Sequence, residues 1–174
     1  MENIVKLKNL LFVLFVLLDA TGCSKKHNDP FYDDIGTWDS MQLPLLNPYY
    51  LVYITDEFGW QMPIKGNFPE LYYDFNLGDL TDVEKVSVEN GVIMVYSSTG
   101  KDFIGEAVHP TFNWFVMIPD KRNSEMGFAS EADLLSYVQQ FGVVEPVWVD
   151  PTSAYKEFYR TGCYDWIPDC ESVN

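Results

Sequence analysis

The sequence predicts an α+β domain: a mostly antiparallel sheet built from hairpins, with two C-terminal helices packed on one face. Three features point to it. Short runs of aromatic and β-branched residues, separated by turn formers, fill the chain from Tyr49 to Phe128. Asn90-Gly91 sits between two of these runs, and its tolerance of positive φ fits a type I′ hairpin turn. Helical periodicity comes late, after Ser130 and again after Asp150-Pro151. Strands and hairpins followed by helix, strand and helix make the α+β order.

Taken in order, Ser24 to Thr37 is polar, contains Pro30 and Gly36, and shows no apolar period, so it is expected to be a tether. A flexible coil of about 14 residues would reach roughly 20 Å. His27 falls within it and is set aside as a catalytic candidate. The globular part is expected to start near Trp38. Leu43 to Asn47, with Pro44 inside and Pro48 after it, is an extended lead-in rather than a helix. Tyr49 to Thr55 is a continuous aromatic and β-branched run, expected to be a strand buried on both faces. Asp56-Glu57-Phe58-Gly59 supplies a turn. The returning strand puts Trp60, Met62 and Ile64 on one face, and Pro63, which has no N–H to donate, places it at an edge or ends it.

Lys65 to Asp82 has irregularly spaced aromatics among Gly66, Pro69 and Gly78 and is expected to be a long loop. Val83 to Glu89 and Val92 to Ser97 flank the Asn90-Gly91 turn, with Val86 and Val88 facing the core and Lys85, Ser87 and Glu89 facing out. Ser98 to Lys101 is expected to turn the chain into a strand over Phe103 to Val108, broken by His109-Pro110. Phe112 to Ile118 and a short return ending near Phe128 complete the strands before the helices.

Ser130-Glu131-Ala132-Asp133 resembles a capping box with Asp in place of Glu. The helix that follows puts Leu134, Leu135, Val138 and Phe141 on one stripe and stops at Gly142. Val143 to Val149, interrupted by Pro146, is expected to be an edge strand. Asp150 caps a second helix with Pro151 at its first position, Ala154, Tyr155, Phe158 and Tyr159 as its inner surface, and Gly162 as its end.

Ahead of all this, Lys6 and Lys8 precede nine unbroken apolar residues, Leu10 to Leu18, followed by Ala20, Thr21, Gly22 and Cys23. A spanning helix needs roughly 20 apolar residues, and this run is half that. The first 23 residues resemble a bacterial lipoprotein signal peptide. The resemblance implies a signal peptide over 1–22, a lipidated tether over 23–37 starting at Cys23, and one globular domain over 38–174. It also implies a place in the bacterial cell envelope, as an outer-membrane lipoprotein facing the periplasm or the surface. The motif departs from the family pattern at Ala20, where Leu is usual. Ala20-Thr21-Gly22 also satisfies the small-x-small rule of an ordinary secretory peptidase, so either enzyme would cut before Cys23.

If Cys23 carries lipid, Cys163 and Cys170 are the remaining thiols in an oxidising compartment and are expected to pair. A metal site is the alternative, but two cysteines without neighbouring histidines make a poor zinc cage. The 47% hydrophobic and 16% aromatic content belongs to a folded globule rather than a disordered tail. A net charge of −15, with no basic stripe, excludes nucleic acid as the partner and favours a basic protein.

Catalytic signatures fail when tested. There is no G-x-S-x-G elbow and no H-E-x-x-H pair. Ser98-Thr99-Gly100-Lys101 resembles the end of a phosphate loop, but Val95 stands where the earlier glycine belongs. His109 is the one imidazole left in the expected globule. Asp74, Asn76, Asp79 and Asp82 alternate oxygen donors as calcium sites do, yet Gly78 and Lys85 break the EF-hand spacing, so they remain weak calcium candidates. No cofactor is expected. Trp60, Trp114 and Trp148 lie in strand runs and are assigned to the core. Trp38, Trp166 and Tyr164, in irregular segments, are the candidate binding aromatics, Trp166 being held inside the expected disulfide loop. The function expected from all this is a non-enzymatic, envelope-anchored protein-binding module of inhibitor or immunity type. The alternatives are a small envelope hydrolase built on carboxylates and His109, and a glycan-binding accessory lipoprotein.

Overall fold

Hairpin chemistry sets the architecture in the computed structural model, which describes residues 27–34, 40–63, 79–102, 111–119 and 125–170. After a single-turn helix α1 (Pro30–Asp34), strands β1 (Gln42–Pro44), β2 (Tyr50–Tyr53) and β3 (Trp60–Gln61) form an antiparallel sheet in the order β1-β2-β3. Strands β4 (Val83–Glu89), β5 (Val92–Asp102), β6 (Thr111–Met117) and β7 (Glu125–Phe128) form a second antiparallel sheet, a plain meander in sequence order. Helices α2 (Glu131–Val138) and α3 (Pro151–Thr161) follow. The α+β architecture built from antiparallel hairpins is therefore as expected.

Asn90 and Gly91 both have positive φ, 51° and 76°, which gives the expected tight turn between β4 and β5. β3 ends as Pro63 requires. Met62 exchanges backbone hydrogen bonds of 2.9 Å with Leu80, and that bridge ties the smaller sheet to the chain entering β4.

Parity along β5 shows how the core is divided. Ile93 and Val95 belong to one buried cluster, with Leu43, Leu51, Trp60 and, from α3, Ala154 and Phe158. Val92 and Met94 belong to another, with Val116 and, from α2, Leu134 and Val138. Alternate residues of a strand point to opposite faces, so α2 and α3 cover opposite faces of the four-stranded sheet. This corrects the expectation that both helices pack on one face. The smaller sheet and α3 together cover the first face, leaving the second to α2. Ser87 is corrected for the same reason: it pairs with Met94 and is buried, not exposed. Its hydroxyl donates to Glu89 Oε1 at 3.2 Å.

Other local expectations shift in instructive ways. β2 buries Leu51, as the residue before it, Tyr49, is buried, while Tyr50, Val52 and Tyr53 are half-exposed, so the run is buried on one face. Ser98 to Lys101 is not a turn between strands. It is a bulge in one long strand: between Tyr96 and Lys101 the register against β6 slips, Gly100 takes φ 64°, and Ser97 Oγ accepts from Gly100 N at 3.1 Å. Residues 143–149 make no strand beyond one bridge, in which Val149 and Val86 exchange bonds of 2.9 and 3.0 Å. That bridge blunts the open edge of β4. Val144 and Val147 are left exposed. The expected strand over Phe103 to Val108 lies outside the described residues, as does most of the expected loop over Lys65 to Asp82.

Both helix caps form as expected. Ser130 Oγ accepts from Asp133 N at 3.2 Å and donates to Asp133 Oδ2 at 2.6 Å. Asp150 Oδ1 accepts from Ser153 N at 2.8 Å. Gly142 and Gly162 close the two helical stretches at φ 79° and 71°, the left-handed conformation that suits glycine.

The segment expected to be a tether is corrected over residues 27–34, which pack onto the domain. Tyr32 is buried in the first cluster, and its hydroxyl accepts from Asn47 N at 3.3 Å. Asp29 accepts from Phe31 N at 2.9 Å and from Asn47 Nδ2 at 2.8 Å. These bonds, the one from Asn47 foremost, hold the Asp29 carboxyl below its usual pKa. A one-turn helix has too few residues to show an apolar period, and the contacts that dock Tyr32, to Asn47 and the first core cluster, come from later in the chain. No helix among the described residues is long and apolar enough to cross a membrane. The run from Leu10 to Leu18 lies outside them.

Candidate functional site

Two neighbouring features on α3 bring chemistry-bearing residues together: the loop at its C-terminal end and an aromatic run along its outer side. The loop begins where Gly162 ends the helix by donating to Phe158 O at 2.7 Å. Cys163 and Cys170 are joined by a disulfide, with Cα atoms 5.5 Å apart. The expected pairing is present. Inside the loop, Ile167 is 2% exposed and enters the first core cluster. Trp166 Nε1 donates to Pro44 O at 3.0 Å, and the Trp166 and Tyr164 rings lie 4.1 Å apart. Both aromatics are half-buried against the core. Burial, then the charges of Asp165 and Glu157, raises the Tyr164 hydroxyl pKa. Trp166 thus acts as a lid on the end of the smaller sheet rather than as a projecting knob.

His27 reaches this loop from far upstream in the sequence. It is 6% exposed, its backbone N–H donates to Asp33 Oδ1 at 2.9 Å, and its Nε2 donates to Gly162 O at 2.7 Å. A carbonyl accepts only, so Nε2 carries hydrogen, and Nδ1 is buried with no hydrogen-bond partner among the described residues. One ring nitrogen of His27 and the sulfurs of Cys163 and Cys170 lie within 4.8 Å of one another. The two cysteines therefore do have a neighbouring histidine, brought from 136 positions upstream of Cys163 by the docking of α1. Nothing in the local spacing signals this contact.

The aromatic run starts on the smaller sheet. Ring centroids are 5.5 Å apart from Tyr53 to Trp60, 5.8 Å from Trp60 to Tyr155 and 5.8 Å from Tyr155 to Tyr159. Trp60 is its buried floor, fixed by donation from Nε1 to Thr152 Oγ1 at 2.9 Å. Tyr53 donates to Asp56 Oδ1, and that bond, followed by burial and the carboxylate charge, raises its pKa. Burial and then Tyr159 raise that of Tyr155. At the far end Tyr159 is 78% exposed, and in the turn that joins Tyr53 to Trp60, Ile54 and Phe58 are 47% and 48% exposed. Tyr159 was expected on the inner surface of α3, and this is corrected. At about 100° per residue it lies about 140° round the helix from Ala154, beyond the buried stripe. That rotation was the available signal. For Phe58 and Ile54 the sequence offers none, because turn and strand-end residues carry no period.

No family model, curated protein or solved structure matches this chain.

The remaining candidates distribute as follows. Trp38, Cys23, His109, Asp74 and Asn76 lie outside the described residues. Asp79 is exposed. Asp82 holds φ 50°, and its carbonyl accepts from Ser98 N at 3.1 Å, a role in the bulge. Trp60 is core as expected. Trp114 and Trp148 meet edge to face at 5.4 Å and are half-buried beside the second cluster. The resemblance of Ser98 to Lys101 to a phosphate loop ends in the β5 bulge, where Ser97 Oγ donates to Thr81 O at 2.6 Å.

Proposed function

We propose that the chain is a lipoprotein held at the bacterial cell envelope through Cys23, and that its domain is a non-enzymatic module binding a basic protein in the manner of an inhibitor or immunity protein. One observation carries the binding part. The aromatic run from Tyr53 to Tyr159 rises from a buried tryptophan to a ring 78% exposed, on a chain of net charge −15. A rigid aromatic anchored from below offers large contact area at low entropic cost, which is what interface hot spots use. Acidic surroundings then select by charge and speed the encounter with a basic partner. A glycan platform is the second reading, favoured by the exposed Tyr159 ring. The aliphatic Ile54 and the strong charge weigh against it, since neither improves stacking on a neutral sugar.

The test uses the protein in detergent, against envelope extracts and a panel of small basic hydrolases and toxins. A basic partner should be retained at low salt and released as salt rises. Tyr159→Ser combined with Phe58→Ser should abolish retention at a cost of about 1 kcal/mol or less in stability, since the rings are 78% and 48% exposed. Unchanged retention in that double variant would remove the surface from consideration. Failure to retain any basic protein, with a tryptophan fluorescence response to glycans, would transfer the site to the second reading. Intact mass of the processed chain tests the lipid on Cys23.

A further inference from the structure

We propose that His27, Cys163 and Cys170 form a zinc site closed by oxidation: the disulfide is its metal-free state, and two-electron reduction opens a three-ligand site for Zn(II). The donors are in place. A ring nitrogen and both sulfurs lie within 4.8 Å of one another. In a tetrahedral zinc centre, bond lengths of about 2.0–2.3 Å put neighbouring ligand atoms about 3.5–3.8 Å apart. The sulfurs must part from bonding distance, about 2 Å, to about 3.8 Å. With Cα atoms 5.5 Å apart, rotation of the two side chains supplies that separation.

His27 has the features of a ligand rather than of a core histidine. It is 6% exposed, and its Nδ1 has no partner among the described residues. A buried polar atom without a partner is costly, and native structures seldom keep one without a use. Meanwhile Nε2 donates to the carbonyl of Gly162 at 2.7 Å, and the backbone N–H is held by Asp33. A histidine that ligates a metal usually gives its other ring N–H to a carbonyl in this way, which fixes the tautomer and the ring orientation. Two thiolates and an imidazole suit zinc by softness, and three protein ligands leave a fourth position for water.

The chemistry balances with a dithiol as reductant. The dithiol gives two electrons and two protons to the Cys163–Cys170 disulfide and becomes a disulfide itself. Zinc then displaces the two thiol protons, and the imidazole joins with its lone pair. Reoxidation by a disulfide withdraws two electrons, cleaves that disulfide to two thiolates, re-forms the cross-link and releases the metal as Zn(II). The coordination bond from His27 would then tie the N-terminal segment to the C-terminal loop, alongside the bond of 2.8 Å from Asn28 to Asp169. This inference is independent of the protein-binding reading.

The test uses the full chain, oxidised or reduced and desalted without oxygen, titrated with Co(II) and then displaced with Zn(II). Reduced protein should give the strong visible bands of tetrahedral cobalt with thiolate charge transfer, saturating near about one equivalent. Oxidised protein should give none. Cys23→Ser should bind as the wild type does. In His27→Gln the side-chain amide can still donate to Gly162 O, but the imidazole is gone. Its affinity should fall by more than roughly 100-fold, the upper end of what removing a mere outer-sphere partner does. Absence of tetrahedral cobalt in the reduced wild type, loss of binding in Cys23→Ser, or unchanged affinity in His27→Gln would overturn the proposal. If His27→Gln does not fold, zinc-edge X-ray absorption of the loaded, reduced wild type decides. Two sulfurs with one imidazole nitrogen support the site, and sulfur with water oxygen alone overturns it.

Discussion

Replacing Cys163 and Cys170 together by Ala separates two ways in which the C-terminal loop is held. The cross-link spans a sequence separation of 7. A closed loop of that size restricts the unfolded chain by about 2.5 kcal/mol on the chain-entropy estimate. The native loop has its own attachments: Ile167 is 2% exposed in the core, Trp166 donates to Pro44 O at 3.0 Å, and Asn28 donates to Asp169 at 2.8 Å. The double variant should therefore keep its native geometry and lose stability through the unfolded state. Urea unfolding should show a loss of about 2.5 kcal/mol with a slightly larger m value, since the uncrosslinked chain exposes more surface. Tryptophan near-ultraviolet dichroism of the folded state should be unchanged. Ile167→Ala, with the disulfide intact, should cost about as much or more, roughly 2–5 kcal/mol, because it empties a buried site. A loss well beyond about 4 kcal/mol in the double variant would refute the reasoning, because a loop this short has no such entropy to give. So would a changed folded-state spectrum, which would mean that the cross-link and not packing places Trp166.

Two glycines should respond for different reasons. At Gly91 an added Cβ meets nothing within 4 Å but φ is +76°, so Gly91→Ala should cost about 1 kcal/mol of backbone strain in thermal unfolding. At Gly127 the Cβ would fall 2.9 Å from Phe112 Cγ, so Gly127→Ala should cost about 1–3 kcal/mol through displacement of the ring. Tyr49→Phe removes the bond of 2.8 Å from the phenol to the buried Glu125 Oε1 and should cost about 1–3 kcal/mol by denaturant titration. Tyr32, Tyr137, Tyr155 and Tyr164 have raised pKa values, burial being the first cause in each, and Tyr53 is raised chiefly by its bond to Asp56. A raised folded value means that the stabilisation is fully present below the unfolded value of about 10 and is lost as pH rises through the folded one. Unfolding free energy should therefore fall above about pH 10, with tyrosinate absorbance rising later than in the denatured chain.

How much was legible follows from the range of the interactions. Asn90-Gly91, the caps at Ser130 and Asp150 and the stops at Gly142 and Gly162 act within a few residues, and each was readable. The faces were not. Val86 and Val88 announced one buried side of β4, but Ser87 on the other side is buried as well, and a serine does not signal that it will be covered. The β5 bulge was half-legible: turn formers at Ser98 to Gly100 promised a break in the strand but not its size. His27 shows the limit. Its polar neighbourhood read as a tether, and its value lies in contacts with Gly162 and with a disulfide more than 130 residues away. For the candidate surface, the tryptophan floor was foreseen at Trp60, while the exposed ring was assigned inward by a stripe one residue too wide, Phe158 being its last buried member.

Docking of residues 27–34 also changes what an anchor at Cys23 would do. A tether of about 14 residues would have let the domain stand roughly 20 Å away and rotate freely. With His27 buried, three residues, Ser24 to Lys26, separate the anchored cysteine from the folded body. The four Cα-to-Cα steps from Cys23 to His27 span at most about 14 Å even when fully extended. The end of the domain that carries Gly162 and the disulfide would then be held near the lipid headgroups. Lys25 and Lys26 fall in that short span and would each gain about 1 kcal/mol near an anionic surface, offsetting the repulsion of an acidic body. Tyr159, less than one helical turn before Gly162, would face the space beside the membrane rather than the open periplasm. A spin label at position 161 of the lipidated protein, in vesicles doped with a headgroup-bound relaxation agent, should report a distance within a few helical turns of the surface. A label there as remote from the lipid as one placed at exposed Val144 would mean that the anchor does not orient the domain.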